Sequence, residues 1–391
     1  MDTVRTGHGP LPVDRGAHVD VWPRLAPGRS SAPRSLAGLL ITLALLCAAS
    51  VGLIVTSCSS VQTGTSRPAS VAATTGATVS SAVTDSPTVV ASVITSESAT
   101  STLAPSATKP NPIPATVPLP FDSSNAMAYI RHFSDDIGVR KGGSAAETRA
   151  ANYLLEALKG WGYSDAQIRE VPIPNGKTSH AVWATRKGTR SGTIVLGAHI
   201  DSKSPSPGAN DNASGSGVLL ELARDLKDAK ISPSVTFVWF GNEEMIDHNG
   251  DHHHYGSRWF VRNMPAELRR DIVGMVSVDM VGYGERFAIR SMGQGPQAMV
   301  DLLSRRFTDA GLRSRYAEDP GAYGWSDHEP FELAGIPAAW LEWQDDPVYH
   351  TADDRASHVQ PLRIEQTGRA LRTFLIGLKA RDLVALRKAR R

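Results

Sequence analysis

The sequence predicts an α/β fold, a sheet with helices on both faces. Three observations carry the prediction: short apolar runs of strand length recur through the C-terminal part of the chain, amphipathic helix patterns separate them, and acidic or histidine residues follow the runs. Residues 125–132 and 145–161 read as amphipathic helices, residues 192–198 as a buried strand, and residues 214–226 as a helix opening just past Asp211. The run at 235–240 reads as a buried strand leading into Gly241, Asn242, Glu243 and Glu244. Residues 272–278 precede Asp279, and residues 336–343 precede Tyr349 and His350. In open α/β sheets ligands bind beyond the carboxyl ends of the strands, so these residues are expected on one rim.

Composition divides the 391 residues into three parts. Residues 1–58 form an arginine-containing leader followed by an uncharged stretch at 36–55, which reads as an export signal or membrane anchor. Val55, Thr56, Ser57 and Cys58 resemble a bacterial lipobox, in which the cysteine would carry lipid. Residues 59–120 are rich in Ser, Thr, Ala, Val and Pro, too poor in large apolar groups to fold, and read as a disordered spacer. Residues 121–391 form the one segment able to build a core. The expected location is therefore extracytoplasmic and anchored to the cell membrane, by lipid or by the apolar stretch, with secretion as the remaining alternative. The formal net charge of +2 supplies no argument for a nucleic-acid partner, and none is expected; no obligatory protein partner is evident. The basic end at 387–391 reads as a helix terminus that complements the dipole. Both cysteines, Cys47 and Cys58, precede the globular segment, which excludes a cysteine nucleophile and a disulfide there; no G-x-S-x-G elbow surrounds a serine.

The densest chemistry lies between Gly197 and Gly217. His199 and Asp201 form an H-x-D pair, and twelve residues after His199 comes Asp211 in a turn rich in small residues, Gly208, Ala209, Ala213 and Gly215. A neutral imidazole can ligate a divalent cation through one ring nitrogen while a carboxylate takes the other N–H, the role expected of Asp201. Adjacent Glu243 and Glu244 resist joint ionisation unless a cation lies near.

Five separated motifs in order, H-x-D, D-N-A-S-G, E-E, a lone Asp after a strand and Y-H, resemble the M28 zinc aminopeptidases. The similarity runs from about Phe121 to Leu386, and Gly138, Val139, Arg140, Gly143, Ser144 and Glu147 look like the family's entry motif, with Ser326, Asp327, His328 and Phe331 as a further match. The resemblance implies a three-layer α/β/α sandwich with a mixed, mostly parallel central sheet, of the zinc-dependent exopeptidase type. It implies two zinc ions per chain, one on His199, Asp211 and Asp279, the other on Glu244, His350 and the shared Asp211, with Glu243 as general base and the Tyr349 hydroxyl supporting the oxyanion. The implied substrate is a peptide with a free N-terminus. An all-N/O donor set suits zinc, though cobalt or manganese would also fit. A glutaminyl cyclase, a carboxypeptidase or aminoacylase on the same fold, and a noncatalytic binding module are the alternatives.

The tract at 247–254, with four histidines, departs from the family by its length and reads as a polar loop over the cleft rather than a second metal tract. His254, His328 and Tyr323 are candidates for facing the substrate. Trp325, Trp340 and Trp343 read equally well as pocket walls or as core aromatics.

Overall fold

The computed structural model describes residues 121–247 and 252–391. The export segment, the lipobox with Cys58, the spacer and residues 248–251 of the histidine tract lie outside the described residues. Eight strands form one sheet: β1 (Gln167–Ile173), β2 (Lys177–Arg186), β3 (Thr193–His199), β4 (Ser234–Phe240), β5 (Ile272–Val278), β6 (Arg286–Ser291), β7 (Arg315–Glu318) and β8 (Ala338–Gln344), in the order β1-β2-β4-β3-β5-β8-β6-β7. The centre, β4-β3-β5-β8, is parallel throughout. Antiparallel pairing is confined to β1–β2, β2–β4 and β6–β8, while the edge strand β7 runs parallel to β6.

Nine helices accompany the sheet among the described residues: α1 (Ser123–Arg131), α2 (Ala145–Gly160), α3 (Gly215–Leu226), α4 (Tyr255–Asn263), α5 (Ala266–Asp271), α6 (Ala298–Asp309), α7 (Glu329–Leu333), α8 (Pro361–Gly377) and α9 (Ala380–Ala389). Side chains alternate across a strand, and that period divides the core in two. Ile194, Leu196 and Ala198 of β3 and Val235, Phe237 and Trp239 of β4 pack with residues of α1, α2, α3, α6, α8 and α9. The intervening Val195, Val238 and Phe240 pack with α4 and α7 on the other side. The result is an α/β/α sandwich. Strands β3, β5 and β8 are buried along their whole length, which is why they read in sequence as unbroken apolar runs.

Local chemistry sets the ends. Asp122 caps α1 by accepting from the Ser124 N–H at 2.9 Å, so the helix starts two residues before the apolar pattern does. Ser144 caps α2 through the Glu147 N–H at 3.2 Å. Ile336 belongs to the turn that closes α7, its N–H bonded to the Phe331 carbonyl, and Pro337 has no N–H, so β8 starts at Ala338 rather than at 336. Among the described residues no helix is long and apolar enough to cross a membrane.

Candidate metal centre

The parallel centre of the sheet delivers its carboxyl ends to one rim. β3 ends on His199, β4 runs into Gly241–Glu244, β5 into Asp279, and β8 into the loop that carries Tyr349 and His350. Asp211 arrives from a kinked turn, Ala209–Ser214, that feeds α3. The backbone there is unusual: Asn242, His254, Met280, Asp345 and His350 all have positive φ, and all lie in loops at this rim. Non-glycine residues in that region cost on the order of 1 kcal/mol or more each and persist only where the surroundings over-determine them.

The five expected ligands meet in two groups. His199 Nε2 lies 3.1 Å from Asp211 Oδ1 and 3.4 Å from Asp279 Oδ1. His350 Nε2 lies 3.1 Å from both Asp211 Oδ2 and Glu244 Oε1. Asp211 thus presents one oxygen to each group. Glu243 stands beside the first, its Oε2 4.0 Å from His199 Nε2.

Asp279 Oδ1, Glu244 Oε1 and His350 Nε2 are buried yet make no well-directed hydrogen bond. Lone pairs that converge at ion-pair distance without satisfying one another are what a cation site presents, and the N/O donor set fits zinc. Burial pushes Glu244 up to about 8 and Asp279 up to about 6; for Glu244 the Asp211 carboxylate adds to the effect. Burial works against a charged His350, but the Asp211 and Glu244 carboxylates, each 3.1 Å away, overcome it and raise the imidazole to about 10. His199 is likewise held well above its ordinary value, burial being outweighed by Asp279 and Glu243. Asp211 is lowered despite burial, because an imidazole nitrogen lies 3.1 Å from each of its oxygens.

Asp201 does more than the sequence suggests. His199 Nδ1 is 3.2 Å from the Asp201 backbone carbonyl and 3.6 Å from its carboxylate, whose two oxygens accept the N–H groups of Glu243 at 3.0 Å and Glu244 at 3.2 Å. It therefore ties the β3 end to the glutamate pair. The fully buried Arg140 donates to the carbonyls of Ile200, Phe133, Gly138, Pro207 and Gly208, pinning the loop before Asp211. Asn212 bridges to β5, its Nδ2 donating to the Val278 carbonyl at 3.0 Å and its Oδ1 accepting from Gly215 N–H at 3.0 Å. Asp354, absent from the sequence reading, accepts the N–H groups of Asn210 at 2.6 Å and Asp211 at 3.2 Å. Its one sequence signal is its place on the His350 loop.

A cavity of about 270 Å³ opens over the centre, lined by His199, Asp211, Glu243, Glu244 and Asp279 on the floor and by Met280, Trp325, Trp340 and Tyr349 on the walls. Tyr349 stacks on His350 with ring centroids 3.7 Å apart. Trp343 is core, bonded to Thr367 and packed on Phe287. Ser326 donates to Asp279 Oδ2 at 2.7 Å. None of the three candidates for facing the substrate is among the residues lining this cavity: His328 is fully buried with Nε2 3.0 Å from Asp319, Tyr323 packs edge-on against His253, and His254 is buried against Glu243 at 2.7 Å. Asp327, also fully buried, is pushed up to about 7 by burial and by Glu243.

A mixed sheet sandwiched by helices, with two His/carboxylate groups at the strand ends, is an arrangement able to hold divalent cations. The model of peptidase family M28 matches residues 181–375. Aminopeptidase YwaD of Bacillus subtilis (strain 168) is 33% identical over 190 residues, 45% of this chain and 38% of that protein. Leupeptin-inactivating enzyme 1 of Streptomyces exfoliatus is 30% identical over 61% of this chain and 52% of its own length. The chain thus spans about half or less of these curated relatives. A solved zinc aminopeptidase from Bacillus subtilis, BSAP, superposes with a TM-score of 0.59 at 19% identity, over 66% of this chain and 95% of that one, a likeness of fold.

Proposed function

We propose that the chain is a metallo-aminopeptidase that removes N-terminal residues from peptides, with two zinc ions, one on His199, Asp211 and Asp279 and the other on Asp211, Glu244 and His350. The observation that carries this is the Asp211 carboxylate, with one oxygen 3.1 Å from each histidine, since a single ion would not use both halves of that arrangement. Paired cations there would polarise the scissile carbonyl and lower the pKa of a water between them. Glu243, at the cavity floor, takes the proton of the attacking water and returns it to the leaving amine. The Tyr349 hydroxyl donates to the developing oxyanion, and the Trp325 and Trp340 walls exclude water from the bond being cut.

The test is turnover of aminoacyl-amide reporters, abolished by chelator and restored by zinc, with metal content approaching two per chain at full activity. Peptides that start with Gln are the companion substrate: cyclisation in place of hydrolysis, at one zinc per chain, would replace this reading. The lipobox sequence supports retention at the outer face of the membrane through lipid on Cys58. Labelled palmitate should be incorporated by the native chain and not by Cys58→Ala; equal labelling would rule that anchor out.

A further inference from the structure

His254 stands apart from the rest of the histidine tract. It is 2% exposed, it directly precedes α4, and its backbone N–H donates to the Glu243 carbonyl at 2.8 Å, closing the loop that leaves and returns to the glutamate pair. Its ring lies between two carboxylates. Nε2 is 2.7 Å from Glu243 Oε1, and Nδ1 faces Glu329 Oε2 at 3.6 Å. Glu329 is itself fixed, accepting the Arg258 guanidinium and the Gly324 N–H, the latter at 2.8 Å. His253, His254 and Glu329 are close enough to suggest a third cation, but Arg258 already supplies the positive charge there, 3.1 Å from His253 Nε2.

The geometry points to a different role: we infer that His254 is a positioning residue, which donates from Nε2 to Glu243 Oε1 and so turns Oε2 toward the reacting water. This rests on the assignment of Glu243 as the base. A glutamate has several torsions of nearly equal energy, and a general base must lie within hydrogen-bond reach of its proton. Asp201 holds the Glu243 backbone, while His254 Nε2 meets its carboxylate at 2.7 Å against 4.0 Å for His199, so the side chain's direction depends on that ring. Misplacement of a catalytic group by about 1 Å costs about a hundredfold in rate.

His254→Asn is the informative substitution. Asn tolerates the left-handed backbone at this position, φ 54°, yet falls short of Glu243. His254→Gln carries an amide N–H out to where Nε2 lies. Asn is expected to lower kcat roughly ten- to a hundredfold, with KM within about twofold and zinc content and thermal midpoint as in the native protein, and Gln to recover most of the loss. Undiminished kcat in His254→Asn, a parallel rise in KM, or no recovery with Gln would overturn the inference. Independently of turnover, Glu243→Gln in the metal-free protein should shift the ¹⁵N resonance of His254 Nε2, and an unmoved resonance would also overturn it. A native protein inert on every aminoacyl reporter would instead remove the peptidase reading, while that resonance still reports on the contact.

Discussion

At the scale of single residues, the two adjacent glutamates show how position decides role. Glu244 points to His350 at 3.1 Å, whereas Glu243 is turned to the opposite group and anchored on His254. Glu243→Gln preserves shape and hydrogen bonding but cannot take a proton, so turnover should fall by about two orders of magnitude with zinc content unchanged; near-native turnover would remove the base assignment. Asp211→Asn should act differently. The amide leaves one oxygen where two are needed, so at least one zinc should be lost on dialysis, measured by atomic absorption, and retention of both ions would exclude a shared Asp211. The proposed ligands could be singled out in the sequence, because His199, Glu244 and Asp279 end or follow apolar runs, Asp211 sits in a turn rich in small residues and His350 in the loop after a further run. What His254, Arg140 and Asp354 do was not, since a buried group's role is set by the partner it meets, and Asp354 and the Asp211 amide come from loops 143 residues apart.

At the scale of elements, helix α3 must begin hard against β5 for Asp211 and Asp279 to converge. Gly215 makes this approach possible: a Cβ there would lie 2.1 Å from the Val278 carbonyl oxygen. Gly215→Ala should therefore destabilise the domain by about 1–3 kcal/mol, the usual cost of overpacking, and weaken zinc affinity together with it because the two displaced elements carry the proposed ligands. Gly160→Ala is the control, having nothing within 4 Å of its added carbon. Urea midpoints and zinc titrations of both variants check this, and an unchanged Gly215→Ala would mean the α3–β5 junction is more pliant than its geometry implies. The same junction explains which elements sequence reasoning can find. Strands β3, β4 and β5 and helices α1, α2 and α3 carry long apolar patterns because they are buried on both faces or on a broad stripe. β1 and β7 are half-exposed edge strands, with burial patterns that follow neither period, and nothing in their composition separates them from loop.

At the scale of the whole molecule, the proposed zinc site sets protons and metal in competition for one set of buried groups, a competition that would reach global stability. In the metal-free fold Glu244 is raised to about 8, chiefly by burial, and His350 to about 10, where the Asp211 and Glu244 carboxylates outweigh the opposing effect of burial, against 4.5 and 6.5 for the ordinary groups. At these two groups the native chain therefore holds more protons than the unfolded chain between about pH 4.5 and 10. Stability from a raised pKa is complete below the unfolded value and lost as pH rises through the folded one, so the metal-free protein should lose stability from pH 6 to 9. Asp211 is lowered, and its opposite contribution is lost only in acid, below that window. Zinc reverses the slope at this site: binding expels the protons, so affinity grows with pH, and a ligand that binds only the folded state stabilises by an amount that grows with its affinity. Glu147, buried away from the ligands and raised to about 8 chiefly by burial, titrates in both forms and cancels in their difference. Thermal midpoints recorded from pH 6 to 9, with chelator and with zinc, should diverge steadily as pH rises; a constant gap between the two curves would mean that the His350 and Glu244 protons are not what zinc displaces.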